Sequence, residues 1–131
     1  MIRTRSVRSD PVRRSDGLRI LVTRLRGRGI TKDRCDVWMP SLAPSGRLIK
    51  TAGAGKLTWA QFERAYAREL LNSPGFDRAN RHVKNHGQKF TLRLIKALGK
   101  RGTVTLLCHC PDGQRQCHMQ VLKKLIQSKR V

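Results

Sequence analysis

Acidic residues are scarce in this chain: eight Asp and Glu stand against 29 Lys and Arg, leaving a formal charge of +21. That imbalance excludes a self-neutralising surface and points to a polyanionic partner, nucleic acid or a nucleotide phosphate being the expected one. Two competing explanations stay open: basic surface kept for solubility, and an acidic protein partner that neutralises the charge. Aromatic residues are few as well, three Phe, two Trp and one Tyr. This argues against sequence-specific readout by stacked bases and for weak sequence preference with a steep salt dependence. No stretch approaches the about 20 apolar residues of a membrane span. Met1-Ile2-Arg3-Thr4-Arg5 carries no apolar run behind its charges, so a cytosolic chain without a membrane partner is expected. The Arg- and Ser-rich start mimics a transit peptide, but Asp10-Pro11 interrupts any amphipathic helix there. There is no Gly-x-Gly-x-x-Gly or Walker pattern and no Cys-x-x-Cys knuckle.

What is present suffices for one ordinary domain, since 131 residues can bury most of an apolar core without disulfides. Residues 1–16 are arginine-rich with almost nothing to pack and are expected to form a flexible basic arm. Residues 17–131 are expected to form an α/β domain, a short, mostly parallel or mixed sheet covered by helices. Leu18 to Val22 and Thr103 to Leu107 read as buried strands, and Asp16-Gly17 as a turn. The segment from Cys35 to Gly55 is dense in turn residues and reads as irregular. Thr58 followed by Gln61 forms a capping-box pattern. Trp59, Phe62, Tyr66 and Leu70 then share one helical face, read as core, before Asn72-Ser73-Pro74-Gly75 ends the helix. A second helix is expected from Gln88 to Leu98, burying Phe90, Leu94 and Leu98 and stopped by Gly99. A last helix is expected from Gln114 to Ser128, burying Met119, Leu122, Leu125 and Ile126.

Two groups of cations are candidate phosphate contacts. Arg24, Arg26 and Arg28 lie in a glycine-containing loop after the first buried strand, where open α/β sheets collect ligands. Lys89, Arg93, Lys96 and Lys100 fall within one narrow helical stripe that can track a phosphate backbone, although any solvated amphipathic helix shows the same spacing.

The most chemically suggestive segment runs from Cys108-His109-Cys110-Pro111-Asp112 to Cys117-His118, from the end of a buried strand into the next helix. Cys117 and His118 are expected in that helix's first turn, where unpaired N–H groups and the nearby Arg115 lower a thiol pKa. Three readings remain open. In the first, the Cys108, Cys110, Cys117 and His118 cluster serves a thiol-dependent enzyme acting on a nucleotide-like substrate, with Cys108 or Cys117 as the thiolate nucleophile and His118, or His109 with Asp112, supplying the base and its orienter. In the second, Cys108, Cys110 and Cys117 join His118, or the His82 and His86 pair, around zinc. Cys-x-Cys on an extended strand end should send its sulfurs to opposite sides, which counts against that set. In the third the cysteines are ordinary packing residues and no cofactor is bound. His82 and His86 sit among Arg78, Arg81 and Lys84, where solvated or phosphate-facing roles are expected.

Gly17 to Leu25, then Arg28-Gly29-Ile30-Thr31-Lys32, resembles the opening signature of the YeaO-like family, domain of unknown function 488. Trp38 with Leu42-Ala43-Pro44-Ser45 and Leu48, Phe62 to Leu70, and Val104 to Leu107 continue the resemblance in order. It implies a compact α/β fold with its motif residues at one end of the sheet, and no established reaction. The chain departs from the pattern at Thr23, where the family usually has Asp, at Arg26-Gly27 in place of Trp-Pro, and at Ile49 in place of Arg. Cys108-His109-Cys110 replaces a Tyr-Ser-Ala type ending, while Cys117-His118 resembles the Cys-His pair of other branches.

Overall fold

A computed structural model of the chain describes residues 1–9, 14–71 and 87–131. The expected helix stop at Asn72 to Gly75, together with Arg78, Arg81, His82, Lys84 and His86, lies outside the described residues. Four strands form one sheet, β1 (Ile2–Ser6), β2 (Leu18–Leu21), β3 (Val37–Trp38) and β4 (Val104–Cys108), in the order β1-β4-β2-β3, with every pairing parallel. Four α-helices accompany it among the described residues: α1 (Gly46–Gly53), α2 (Trp59–Leu71), α3 (Lys89–Arg101) and α4 (His118–Gln127). The expected α/β class with a small parallel sheet holds. No helix among the described residues is long and apolar enough to cross a membrane.

Val104-Thr105-Leu106-Leu107-Cys108 is buried at every position, as a strand paired on both edges and covered on both faces must be. The pleat divides it. Val104, Leu106 and Cys108 join Ile2, Ile20, Leu92, Ile95, Leu122 and Ile126 in the main core under the helices. Leu107 turns to the other face, where it meets Val7, Leu21, Ile30 and Cys35. Helices therefore cover one face of the sheet and loop residues the other. Gly17 sets the turn into β2 at φ 63°, and a Cβ there would lie 2.0 Å from the Thr103 carbonyl oxygen that accepts the Leu18 N–H.

Several local expectations are corrected. Residues 2–6 of the expected arm are a sheet edge: β1 pairs in register from Ile2 with Val104 to Ser6 with Cys108, because Ile2 is apolar enough to enter the core. Asp112 holds the strand's end, accepting the Ser6 N–H at 2.7 Å and the Ser9 hydroxyl. The segment read as irregular contains β3 and α1; Ser45 caps α1 by accepting the Leu48 N–H at 3.1 Å, a signal that the surrounding prolines and glycines obscure. The Thr58 and Gln61 capping box forms in both directions.

Helix α3 continues through Gly99 to Arg101 and buries Leu92, Ile95 and Gly99, leaving Phe90, Leu94 and Leu98 facing outward. The helix carries two apolar stripes, and the one with glycine wins because β1 must approach closely: a Cβ on Gly99 would lie 2.4 Å from Ile2 Cδ1. α4 begins at His118 and not at Gln114, after an exposed loop turned at Gly113 with φ 80°. Its expected core residues Met119, Leu122, Leu125 and Ile126 are all buried.

Because Ile2 is 7% exposed and packed in the main core, Ile2→Ala should lower stability by about 2–4 kcal/mol in a urea titration. A change within about 0.5 kcal/mol, as expected for a mobile arm, would contradict the strand.

Candidate thiolate site at the carboxyl edge of the sheet

Parallel strands deliver their carboxyl ends to one edge, and the cysteines gather there. Cys108 ends β4, and the chain then bends, so the pleat no longer governs Cys110. The expected divergence of the two sulfurs is thereby corrected: Sγ atoms of Cys108, Cys110 and Cys117 all lie within 4.8 Å of one another. Cys117 is the N-cap of α4, one step before the first turn where it was expected, at φ −134° and ψ 141°. Its sulfur lies 3.2 Å from that of Cys108.

His118 is anchored by the residue that follows β2. Its Nε2 lies 2.7 Å from the Val22 carbonyl oxygen, which can only accept, so Nε2 carries the hydrogen and Nδ1 is left as the basic nitrogen in the neutral ring. Tyr66 meets the ring edge-on at 6.2 Å between centroids. The same stretch of chain after β2 receives two further ring nitrogens: Trp38 Nε1 donates to the Thr23 carbonyl at 2.8 Å, and His109 Nε2 lies 3.4 Å from the Leu25 carbonyl. The basic loop is thus held against the cysteine cluster by its backbone. No amino-acid motif marks Val22 as the orienter of His118, because a carbonyl can be offered by any residue.

The Cys117 thiol is lowered to about 4, first by its hydrogen bond with Cys108, then by His118, the Met119 N–H and Cys110, against the opposing effect of burial. Cys108 is raised by the same bond and by burial, which makes it the donor and Cys117 the thiolate. Cys110 is raised by burial and by the charge on Cys117. Arg115, expected to assist, is exposed and is not among these causes. The thiolate is therefore held by hydrogen bonds and backbone dipoles rather than by a neighbouring cation.

A cavity of about 350 Å³ opens over the cluster, lined by Ile49, Trp59, Phe62, Cys110, Cys117 and His118 among others. Trp59 and Phe62 are stacked at 5.1 Å, so the face read as core is also the wall of this cavity. Asp112 is occupied with β1, as described above, and does not orient a histidine; His109 Nδ1 is buried without a partner. For the zinc alternative, three sulfurs come together, while Nε2 of His118 is already spent on Val22.

The candidate phosphate contacts do not converge. Arg24 lies against Gly46 and lines a separate cavity of about 300 Å³ with Pro44, Ser45, Glu69 and Gln88. Arg26 Nη2 lies 3.4 Å from the Ile30 carbonyl, and Arg28 is exposed. In the α3 stripe Arg93 and Lys100 are exposed and Lys89 half-buried, whereas Lys96 Nζ donates to the Ser128 and Val131 carbonyls at 2.8 and 3.0 Å.

Comparison with known proteins places this geometry in context. The family model described as "Active DUF488-N3 subclade" matches residues 2–130. "Uncharacterized protein YeaO" of Escherichia coli (strain K12) is 41% identical over 63 residues, 47% of this chain and 55% of that protein. The match thus spans about half the length of that relative. No solved structure matches.

With its pKa lowered to about 4, Cys117 should react with iodoacetamide at a rate that is flat from about pH 6 to pH 9 and falls as the thiolate is protonated near pH 4. An ordinary thiol instead gains rate through about pH 8.5. Because no cation holds the charge, the rate should not change with salt. A profile rising through pH 8–9, read by mass spectrometry of the Cys117 peptide, would refute the thiolate.

Proposed function

The chain belongs to the DUF488 family, in the subclade described as active, and we propose that it is a thiol-dependent enzyme with Cys117 as nucleophile and His118 as its base. One observation carries the reading: a Cys-His pair whose imidazole is oriented by a backbone carbonyl, set on the floor of a cavity. The Val22 carbonyl does for His118 what a carboxylate or amide side chain does in other thiol enzymes, fixing the tautomer and ring orientation. Cys117 attacks an electrophilic centre as the standing thiolate, and His118, turned by Val22, relays a proton from solvent to the leaving group and takes one from the water that frees the enzyme. Both thiol partners reach the site from rigid elements, a strand end and a helix cap, which suits a preorganised nucleophile.

The cavity wall names the kind of substrate. Among the described residues its lining holds no Lys or Arg, and aliphatic and aromatic side chains make up much of it, so the reacting end is an uncharged, flat group. Ile49 stands in this wall where the resemblance to the family implies an Arg, which makes the pocket less suited to an anion in this chain. A nucleotide-like substrate would place its base over Trp59 and Phe62 and leave its phosphates outside.

p-Nitrophenyl acetate at pH 6 should give a burst of acyl-enzyme of about one equivalent per chain, lost in Cys117→Ala and kept in Cys110→Ser. His118→Gln should slow the burst by about 100-fold or more. A burst that survives Cys117→Ala would remove the proposal.

A second reading, binding of nucleic acid, is favoured by the charge of +21 and by the exposed Arg24, Arg28, Arg93 and Lys100. In anisotropy titrations with labelled RNA and DNA, Lys89, Arg93 and Lys100→Gln together should reduce the log–log salt slope by up to about 3. Lys96→Gln should leave the slope nearly unchanged, because its ammonium is held by Ser128 and Val131. Absence of binding at low salt would make the charge a solubility feature or the mark of an acidic protein partner.

A further inference from the structure

The nucleophile proposed above has a neighbour that its mechanism does not use. Cys108 is fully buried and cannot meet a substrate, yet its sulfur lies 3.2 Å from that of Cys117. Cys117 and Cys110 line the cavity, whereas Cys108 does not. This separates a thiol that borders the cavity, itself only 3% exposed, from a wholly hidden one in contact with it, the arrangement of an attacking and a resolving cysteine.

We infer that Cys108 is the resolving cysteine of a two-thiol site, so that the protein reduces disulfide substrates by thiol–disulfide exchange, a proposal that rests on Cys117 being the nucleophile. In the first step the Cys117 thiolate attacks one sulfur of a substrate disulfide. A Cys117–substrate S–S bond forms, the substrate S–S bond breaks, and the departing thiolate is protonated from imidazolium or water. In the second step Cys108 gives up its proton to His118 or water and attacks the Cys117 sulfur, forming the Cys108–Cys117 bond and expelling the second substrate thiolate. The substrate gains two electrons and becomes two thiols; the cysteine pair loses two and becomes one disulfide. A low-molecular-weight dithiol returns the pair to its reduced form.

The surroundings suit the second step. The Cys110 N–H already points at Cys108 Sγ, at 3.3 Å, and is in place to hold the thiolate that forms there. Closing the sulfurs from 3.2 Å to the about 2.05 Å of a disulfide asks for a displacement on the order of 1 Å. The segment joining them, Pro111 to Gln116, is exposed and turned at Gly113, so little packing opposes that movement. The apolar cavity accommodates an aromatic or aliphatic disulfide more readily than a charged one.

The test uses the full reduced chain, treated with chelator and mixed with one equivalent of the uncharged aromatic disulfide dithiodipyridine. Wild type should release one equivalent of thiopyridone quickly and a second soon after, and peptide mapping should find Cys108 linked to Cys117. Cys108→Ser, which keeps a hydrogen-bond donor beside Cys117, should still release the first equivalent and retain the mixed disulfide on Cys117, with the second release slower by about 100-fold or more, whereas Cys108→Ala, which removes that donor, should slow the first release as well. Cys35→Ala, in the cluster on the other face of the sheet, should behave as wild type. If the wild-type chain accumulates the stable Cys117 adduct, or links Cys117 to Cys110, Cys108 is not the resolver and the inference is overturned while the nucleophile stands. If Cys117 is not labelled first, the nucleophile reading fails and this inference with it. Thiols that become reactive only as chelator withdraws a stoichiometric zinc ion would overturn both in favour of a metal site. The wild-type mapping needs no variant, so the outcome does not depend on how well Cys108 substitutions fold.

Discussion

Complete burial of β4 is the constraint on which the remaining structure depends. A five-residue strand with no exposed position needs a partner on each edge and cover on each face. β1 and β2 supply the edges, the helices one face, and Val7, Leu21, Ile30 and Cys35 the other. Since all pairings are parallel, burying β4 also brings the ends of β1, β2 and β4 to one edge. Cys108 is the last residue of that strand, so its thiol is held in the core at the place where α4 must start. The Cys108–Cys117 contact is a consequence of the sheet's topology rather than of the short sequence separation between the two residues.

From that contact the electrostatics follow. A thiol in the core has no water to solvate its anion and donates its hydrogen instead; the acceptor is the thiol at the helix cap, which has backbone N–H groups and an imidazole beside it. One sulfur is pushed up and the other down, and the two become chemically distinct although their residue type is the same. His118 completes the division because the chain leaving β2 at the same edge offers it the Val22 carbonyl. Each member of the site is therefore positioned by backbone that the central strand has already fixed.

The parts of this arrangement legible in the sequence are those written in local pattern. The apolar runs of β2 and β4, the Thr58 and Gln61 box and the apolar positions of α4 are each a local periodicity or cap. The importance of Cys108, Cys117 and His118 was legible from residue type and from position between strand and helix. What was hidden depends on distant partners. Ile2 looks like one apolar residue among arginines until β4 is placed beside it. Gly99 looks like a helix stop until Ile2 needs the space. Phe90, Leu94 and Leu98 form a stripe as regular as Leu92, Ile95 and Gly99, and only the approach of β1 decides which faces inward. Val22 acts through a main-chain oxygen, for which a sequence has no symbol.

The chain's most conspicuous property, its positive charge, takes no part in holding the thiolate. Among the described residues no Lys or Arg lines the cavity over Cys117 or contributes to its lowered pKa. Two arginines of the sheet are matched by carboxylates, Arg5 with Asp16 at 2.6 Å and Arg19 with Asp36 at 2.7 Å, so acids are spent where cations lie against the fold. Most of the remaining charge stands at the surface, where it acts over a Debye length and weakens with salt. Hydrogen bonds and dipoles inside the site are shielded from that screening. The two properties thus operate through different physics: surface charge can concentrate a polyanion around the protein, while the reactivity of Cys117 is set by a strand end, a helix cap and one carbonyl, whatever the surface binds.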